Sequence, residues 1–207
     1  MGQRRRITAK GTEARARLLA EATKVFSRDG YRAGSLSRIA EAAGLTQQGL
    51  LHYFPSKAEL LLAVVAERER STAAVIEEQS ATGSVLDAFV IAVRHNLKEP
   101  HLVELMTVLS AESTSPSHPT HDWFTGRYDD LVRRLAAGVA EEQDSGTWTV
   151  PIDPQDAARM LVGLADGLRL QRLLGHPELD HPAMLEDFLA RMRAGGADRS
   201  ASAPPLS

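Results

Sequence analysis

SLSRIAEAAGLTQQGLLHYFPSKAELL, residues Ser35 to Leu61, decides the fold. Two short helical segments in it meet at Gly44, where a left-handed backbone is cheap only for a residue without a side chain. Ser35 is a good N-cap for the first segment, in which Leu36, Ile39, Ala40 and Ala43 turn to one side, and Thr46 is a good N-cap for the second. The second segment is too polar and too short to be core. Helix, glycine turn, helix is the helix-turn-helix plan, whose second helix is a DNA-reading element. Pro55 stops that helix, and Ser56 with Glu59 three residues later forms a capping box for a longer one.

Working outward, apolar spacing predicts helix nearly everywhere. A first helix from about Thr12 to Arg28 carries Leu18, Leu19, Ala22, Val25 and Phe26 on one face and ends at Gly30. The long helix from Ser56 holds Leu60, Leu61, Val64 and Val65 and becomes charged from Glu67 onward. Ser84 caps a helix with the stripe Leu86, Phe89, Val90, Val93 and Leu97, ending near Pro100, and a second apolar helix carries Leu102, Leu105, Met106 and Leu109. Ser113 to His121 is a loop by composition. Further helices are predicted from about Thr120 to Gln143, from an Asp153 cap with Pro154 at the first position to Leu174, and from His181 to Arg193. No segment alternates with period two for long enough to be a strand, so the fold class is all-α. From Gly195 to Ser207 there is nothing to bury, and a disordered tail is expected.

The charge is divided along the chain. Residues 1–57 contain eleven Lys or Arg against four acids, a net +7, so residues 58–207 carry −10 within a chain of net charge −3. A basic end attracts phosphate, and the whole-chain balance hides it. The alternative reading is solvated helix faces with a basic tail.

Composition excludes several classes. With 43% apolar residues over 207, the chain can bury a proper core. No cysteine is present, so disulfides, thiol nucleophiles and thiolate metal sites are out. There is no apolar run of membrane-spanning length, and the basic start, Met1 to Arg6, is not followed by a signal-peptide core, so a soluble, cytoplasmic protein is expected. HExxH, GxSxG and phosphate-binding glycine loops are absent. No catalytic residue and no cofactor is assigned, and no enzyme is expected. One other class has a feature behind it: His95, His101, His118 and His121 lie close in sequence, with Asp122 adjacent, which is the material of a metal sensor or a metal-binding helical protein.

From about Arg15 to Val64 the chain resembles the N-terminal domain of the tetracycline-repressor (TetR) family of bacterial transcription regulators. The matching residues are Ala22, Phe26 and Gly30-Tyr31, then Ser35 with Ile39-Ala40 and Ala43-Gly44, then Leu50, Tyr53-Phe54 and Ser56-Lys57 with Leu60-Leu61. Leu161 to Leu174 is similar, more weakly, to the penultimate helix of many members. The resemblance implies a sequence-specific, double-stranded-DNA-binding repressor, a homodimer on a near-palindromic operator, released when a small-molecule effector of unknown identity occupies its body. It divides the chain into a flexible basic arm (1–11), a helix-turn-helix domain (12–57), a helical effector-binding and dimerisation domain (58–194) and the tail (195–207).

Thr46, Gln47 and Gln48 open the helix that would meet base edges, and an amide can pair bidentately with adenine. Gly49 admits two readings, close backbone approach to DNA or relief of packing against the second helix. The resemblance gives Tyr53 and Lys57 phosphates to hold, and His52 faces the same side. Leu51 departs from the tyrosine usual in the family, which removes a phosphate contact. Ser37 and Arg38 open the second helix near the backbone, with Arg38 equally readable as a solvated charge. Arg4, Arg5, Arg6 and Lys10 form an arm that either follows the DNA or makes no fixed contact. In the body, Phe89, Val93, Met106, Leu109, Trp123, Phe124, Arg127, Tyr128 and Met160 are candidates for an effector pocket, plain core being the competing reading for each. Leu161, Leu164, Ala165 and Leu168, with Leu185, Phe188, Leu189 and Met192, form two stripes that would pair across a dimer axis, or pack within one subunit.

Overall fold

The computed structural model describes residues 9–80 and 83–194, and among them every regular element is helical. The order is α1 (Ala9–Ala33), α2 (Leu36–Ala42), α3 (Gln47–Tyr53), α4 (Lys57–Ser80), α5 (Val85–Asn96), α6 (Pro100–Glu112), α7 (His121–Asp144), α8 (Pro154–Leu173) and α9 (His181–Ala194). The all-α expectation is met. Most of the expected basic arm, including Arg4, Arg5 and Arg6, and the tail from Gly195 lie outside the described residues.

Punctuation by small polar residues and glycines is where the sequence anticipates it. Ser35 caps α2, accepting from the Arg38 amide at 3.5 Å, and Thr46 caps α3, accepting from the Gly49 amide at 3.1 Å. Gly44 turns the chain between them at φ 72°. The Ser56 hydroxyl accepts from the Glu59 amide at 3.1 Å to open α4, and Asp153 accepts from the amides of Gln155 and Asp156 to open α8. One difference concerns Pro100, which begins α6 instead of merely ending α5, as suits a residue with no amide hydrogen to donate. Another concerns α1, which resumes for a short stretch beyond the non-helical Gly30 (φ 71°, ψ 173°).

Two compact units divide the chain. The first comprises residues up to Thr72 together with Asn96–Phe124; the second comprises Ala73–His95 and the chain from Thr125 onward. The helix-turn-helix is thus compact with the first part of α4 and with α6. In this unit α1 packs on α2 and on α6, and α2 on α3. Leu18, Phe26, Ile39, Leu50, Leu60, Leu61, Leu105 and Leu109 are fully buried. In the second unit, Leu86, Leu135, Val139, Leu161, Leu185 and Leu189 centre a core drawn from α5, α7, α8 and α9, closed by Trp148 from the α7–α8 connection. An ionic clamp ties that unit: Arg193 on α9 reaches Glu142 of α7 at 2.6 Å and Asp87 of α5 at 2.8 Å, and the Ser84 hydroxyl donates to the same glutamate at 2.5 Å.

Candidate nucleic-acid interface

α3 has seven residues and buries one side chain, Leu50. Thr46, Gln47, Gln48 and His52 stand at its surface, with Gly49 and Tyr53 partly covered. Leu51, at the position where the family usually has a tyrosine, is 36% exposed. The amides of Gln47 and Gln48 therefore stand in solvent at the capped end of the helix, with donors and acceptors available to base edges. A Cβ at Gly49 would meet the Thr46 hydroxyl at 3.3 Å and Leu45 at 3.8 Å, so its neighbours are the turn and cap; packing against α2 does not explain it.

On α2, Ser37 and Arg38 lie at the surface. The hydroxyls of Ser35 and Ser37 are 2.8 Å apart, and the Arg38 guanidinium is bound to Asp29 at 3.0 Å, which ties it to α1. Lys57 is engaged inward. Its ammonium donates to the Arg32 carbonyl at 2.9 Å and sits 4.9 Å from the centre of the Tyr31 ring. Burial pushes its pKa below the usual lysine range, against the pull of Glu112.

Those contacts belong to a junction that local sequence patterns do not reveal. Glu112, at the end of α6, accepts from the Tyr31 amide at 3.3 Å, and its other oxygen lies 3.0 Å from where a Cβ at Gly30 would stand. Gly30 is required by its positive φ; a Cβ there would also crowd the movable end of the Glu112 side chain. The His118 ring lies edge-on to Tyr31 at 5.1 Å, with Nε2 3.6 Å from Glu112, a separation too long for a hydrogen bond. Burial holds the His118 pKa down; Glu112 pulls it up and Arg32 lowers it again. Tyr31, Arg32, Glu112, His118 and their neighbours line a half-open cavity of about 340 Å³. The partners are 81 residues apart in the Tyr31–Glu112 pair, beyond the reach of any periodicity argument.

The effector candidates are divided between the units. Met106, Leu109 and Phe124 are buried in the first, with Trp123 against Phe124 at 4.9 Å. In the second, Phe89 is buried, Val93 packs on the core, and the Tyr128 hydroxyl donates to Asp166 at 2.6 Å with Arg127 over its ring. Burial, then the bond to Asp166, raises the Tyr128 pKa. Met160 is 58% exposed.

Five of the eight residues expected to pair across a dimer axis lie inward, and three are half-buried. Leu161, Ala165, Leu168, Leu185 and Leu189 are buried in the second unit's own core, and Leu164, Phe188 and Met192 pack against it. Of the two faces that an apolar helix offers, the subunit takes this one for itself. What α8 leaves uncovered are other apolar residues, Met160, Leu170, Leu173 and the following Leu174, which is 75% exposed, together with Met184 on α9. Gly163 and Gly167 lie between them with nothing within 4 Å of an added Cβ.

The histidines do not converge: no group of three metal-ligating side chains occurs among the described residues. His121 is bonded to the Ser113 carbonyl at 2.8 Å and His118 to the Thr120 hydroxyl at 2.9 Å, while His95 belongs to the other unit. Nor is any helix among the described residues long and apolar enough to cross a membrane.

Comparison with known proteins agrees with this arrangement. The profile of bacterial regulatory proteins of the tetR family matches residues 18–64, and that of the BetI-type transcriptional repressor C-terminal domain matches residues 86–194. The transcriptional activator FasR of Mycolicibacterium smegmatis is 41% identical over 191 residues, covering 80% of this chain and 87% of the relative. The regulator SrpR of Pseudomonas putida is 23% identical over 169 residues, covering 82% and 79%. Among solved structures, a transcriptional regulator from Saccharomonospora viridis in complex with choline matches with a TM-score of 0.74 at 24% identity, over 87% of this chain and 97% of that one. FadR from Bacillus subtilis in complex with stearoyl-CoA matches with a TM-score of 0.73 at 17% identity, over 87% and 98%. With an N-terminal helix-turn-helix that exposes its second helix, followed by a larger helical body, and with profiles matching both parts, the chain belongs to the TetR family of transcriptional regulators.

Proposed function

We propose that this regulator acts as a repressor, binds a near-palindromic operator as a homodimer, and is released when a small molecule occupies its body. The observation that carries the reading is α3, a helix held by a single buried leucine, which adds almost nothing to the core and presents two exposed amides, Gln47 and Gln48, at its capped end. Such a helix is better explained by what it reads than by what it packs. Thr46, Gln47 and Gln48 read bases. Ser37, His52 and Tyr53 hold the backbone, and Lys57 contributes by fixing the start of α4 to the Gly30–Arg32 turn.

A head this small reads few base pairs, so two heads are needed, and the uncovered line on α8 supports a self-associating subunit. Met160, Gly163, Gly167, Leu170 and Leu174 recur at intervals of three and four, the spacing of a seam between two helices, and the bare glycines allow close approach. For the effector, one relative in structure holds choline and another stearoyl-CoA. Those ligands have little in common, so they support a ligand-responsive body without choosing its chemistry. The ligand regulates by binding one spacing of the heads more tightly; a differential of about 1–3 kcal/mol suffices.

The test is fluorescence anisotropy against duplexes tiled across the region upstream of the protein's own gene, at two salt concentrations and with a scrambled control. Tight binding to one tile that survives higher salt, and that a ligand screen then releases, is the expected result. Equal, salt-sensitive binding to every tile would break the operator assignment.

A further inference from the structure

We infer that Arg15 of α1 is a phosphate-contacting residue of the DNA-binding surface, held in place for that task by the ring of Phe54. The inference rests on the DNA-binding reading above and adds a residue that none of the motif positions includes.

The cations of the basic end are mostly committed to partners. Arg17 pairs with Glu13 at 3.5 Å and Lys24 with Glu21 at 2.8 Å, Arg28 and Arg38 share Asp29, and Lys57 donates to the Arg32 carbonyl. Arg15 has no ion pair and no hydrogen bond among the described residues, yet it is fixed: its guanidinium carbon lies 5.2 Å from the centre of the Phe54 ring. Phe54 is buried and is the C-cap of α3, directly after Tyr53 and three residues before Lys57. The charge therefore stands at the end of the reading helix opposite Thr46, Gln47 and Gln48. In major-groove recognition the bases are read from one end of such a helix, and the backbone runs past its flanks.

A guanidinium over a ring uses its face and leaves its N–H donors around the rim available, in the fork that suits phosphate oxygens. The aromatic ring also restricts the side chain before DNA arrives, so less freedom is lost on binding. An arginine needed only to cover Phe54 would act through its aliphatic stem, and its charge would be dispensable. That difference separates the two roles.

The experiment compares full-length Arg15→Met, which keeps the cover and removes the charge, with the unsubstituted protein and with Arg17→Met. The probe is a labelled duplex of mixed sequence, titrated across a salt series at a temperature where circular dichroism shows all three folded. Each phosphate contact contributes about −0.9 to the slope of log affinity against log salt. Per bound subunit, Arg15→Met is expected to flatten the slope by about 0.9 and to weaken binding about eightfold at ~0.1 M salt; Arg17→Met should leave both unchanged. An unchanged slope for Arg15→Met, whatever its melting temperature, overturns the inference, as does equal flattening by both variants, which would mean diffuse charge. Failure of the DNA-binding reading itself would look different: the unsubstituted protein would not bind the duplex at low salt.

Discussion

α3 and α8 both leave a face uncovered, and the two faces are chemically opposite. α3 buries Leu50 alone and exposes Gln47, Gln48 and His52; α8 buries six side chains and still exposes Met160, Leu170 and Leu173. Water satisfies exposed amides, so α3 can stay open at little cost. Exposed apolar side chains have no such resting state, and the proposed self-association would cover them. The proposed function gives these faces two kinds of recognition, one polar on α3 and one apolar on α8.

The largest expected effect comes from spoiling the apolar face. Leu170→Asp with Leu174→Asp should turn dimers into monomers in sedimentation velocity and weaken operator binding by about 10²–10⁴, since the second head no longer binds as part of the same molecule. A double variant that stays dimeric would move the interface elsewhere. Next is the anchor of the polar face: Leu50→Ala should cost about 2–5 kcal/mol in urea unfolding, because a fully buried leucine is replaced by a cavity. A much smaller loss would mean that α3 is held by more than one residue. Gln47→Ala should change which base is preferred at one operator position by about 1–3 kcal/mol and leave binding to mixed-sequence DNA alone; uniform weakening would make Gln47 a backbone contact.

The smallest effect is a pH dependence. Burial, then the charges of Arg172 and Arg169, hold the pKa of His181 at the start of α9 below its ordinary 6.5. The folded state thus binds the proton less readily than the unfolded state. Stability from this group is present above about pH 6.5 and is lost as pH falls through the lowered folded value. His181→Gln should flatten the thermal midpoint below that pH, leaving the contribution of His118, whose pKa is lowered in the same direction.

The helix-turn-helix was legible because its signals are local. Ser35, Gly44, Thr46 and Ser56 each act on residues within four positions, and each makes the bond or the turn that its chemistry predicts. The stripes on α8 and α9 were not legible in the same way. Both faces of α8 carry apolar residues, and periodicity says that a face is apolar without saying whether the subunit's own core or another surface covers it. Leu161 and Leu168 read as an interface and are core; Leu170 and Leu174 are the uncovered pair. Lys57 illustrates a third case. Its position in the motif assigns it to phosphate, but its partners, Arg32 and Tyr31, come from the turn after α1, and Glu112 from the end of α6 adds its charge.

The amide of Tyr31 donates to a carboxylate on α6 because Gly30 has turned the chain out of helical register. In deuterium exchange this single N–H is a natural reporter. Its protection depends on where the end of α6 stands and not on the opening of a local helical turn, so a perturbation that shifts Glu112 would appear there as faster exchange while the amides within α2 and α3 kept their rates.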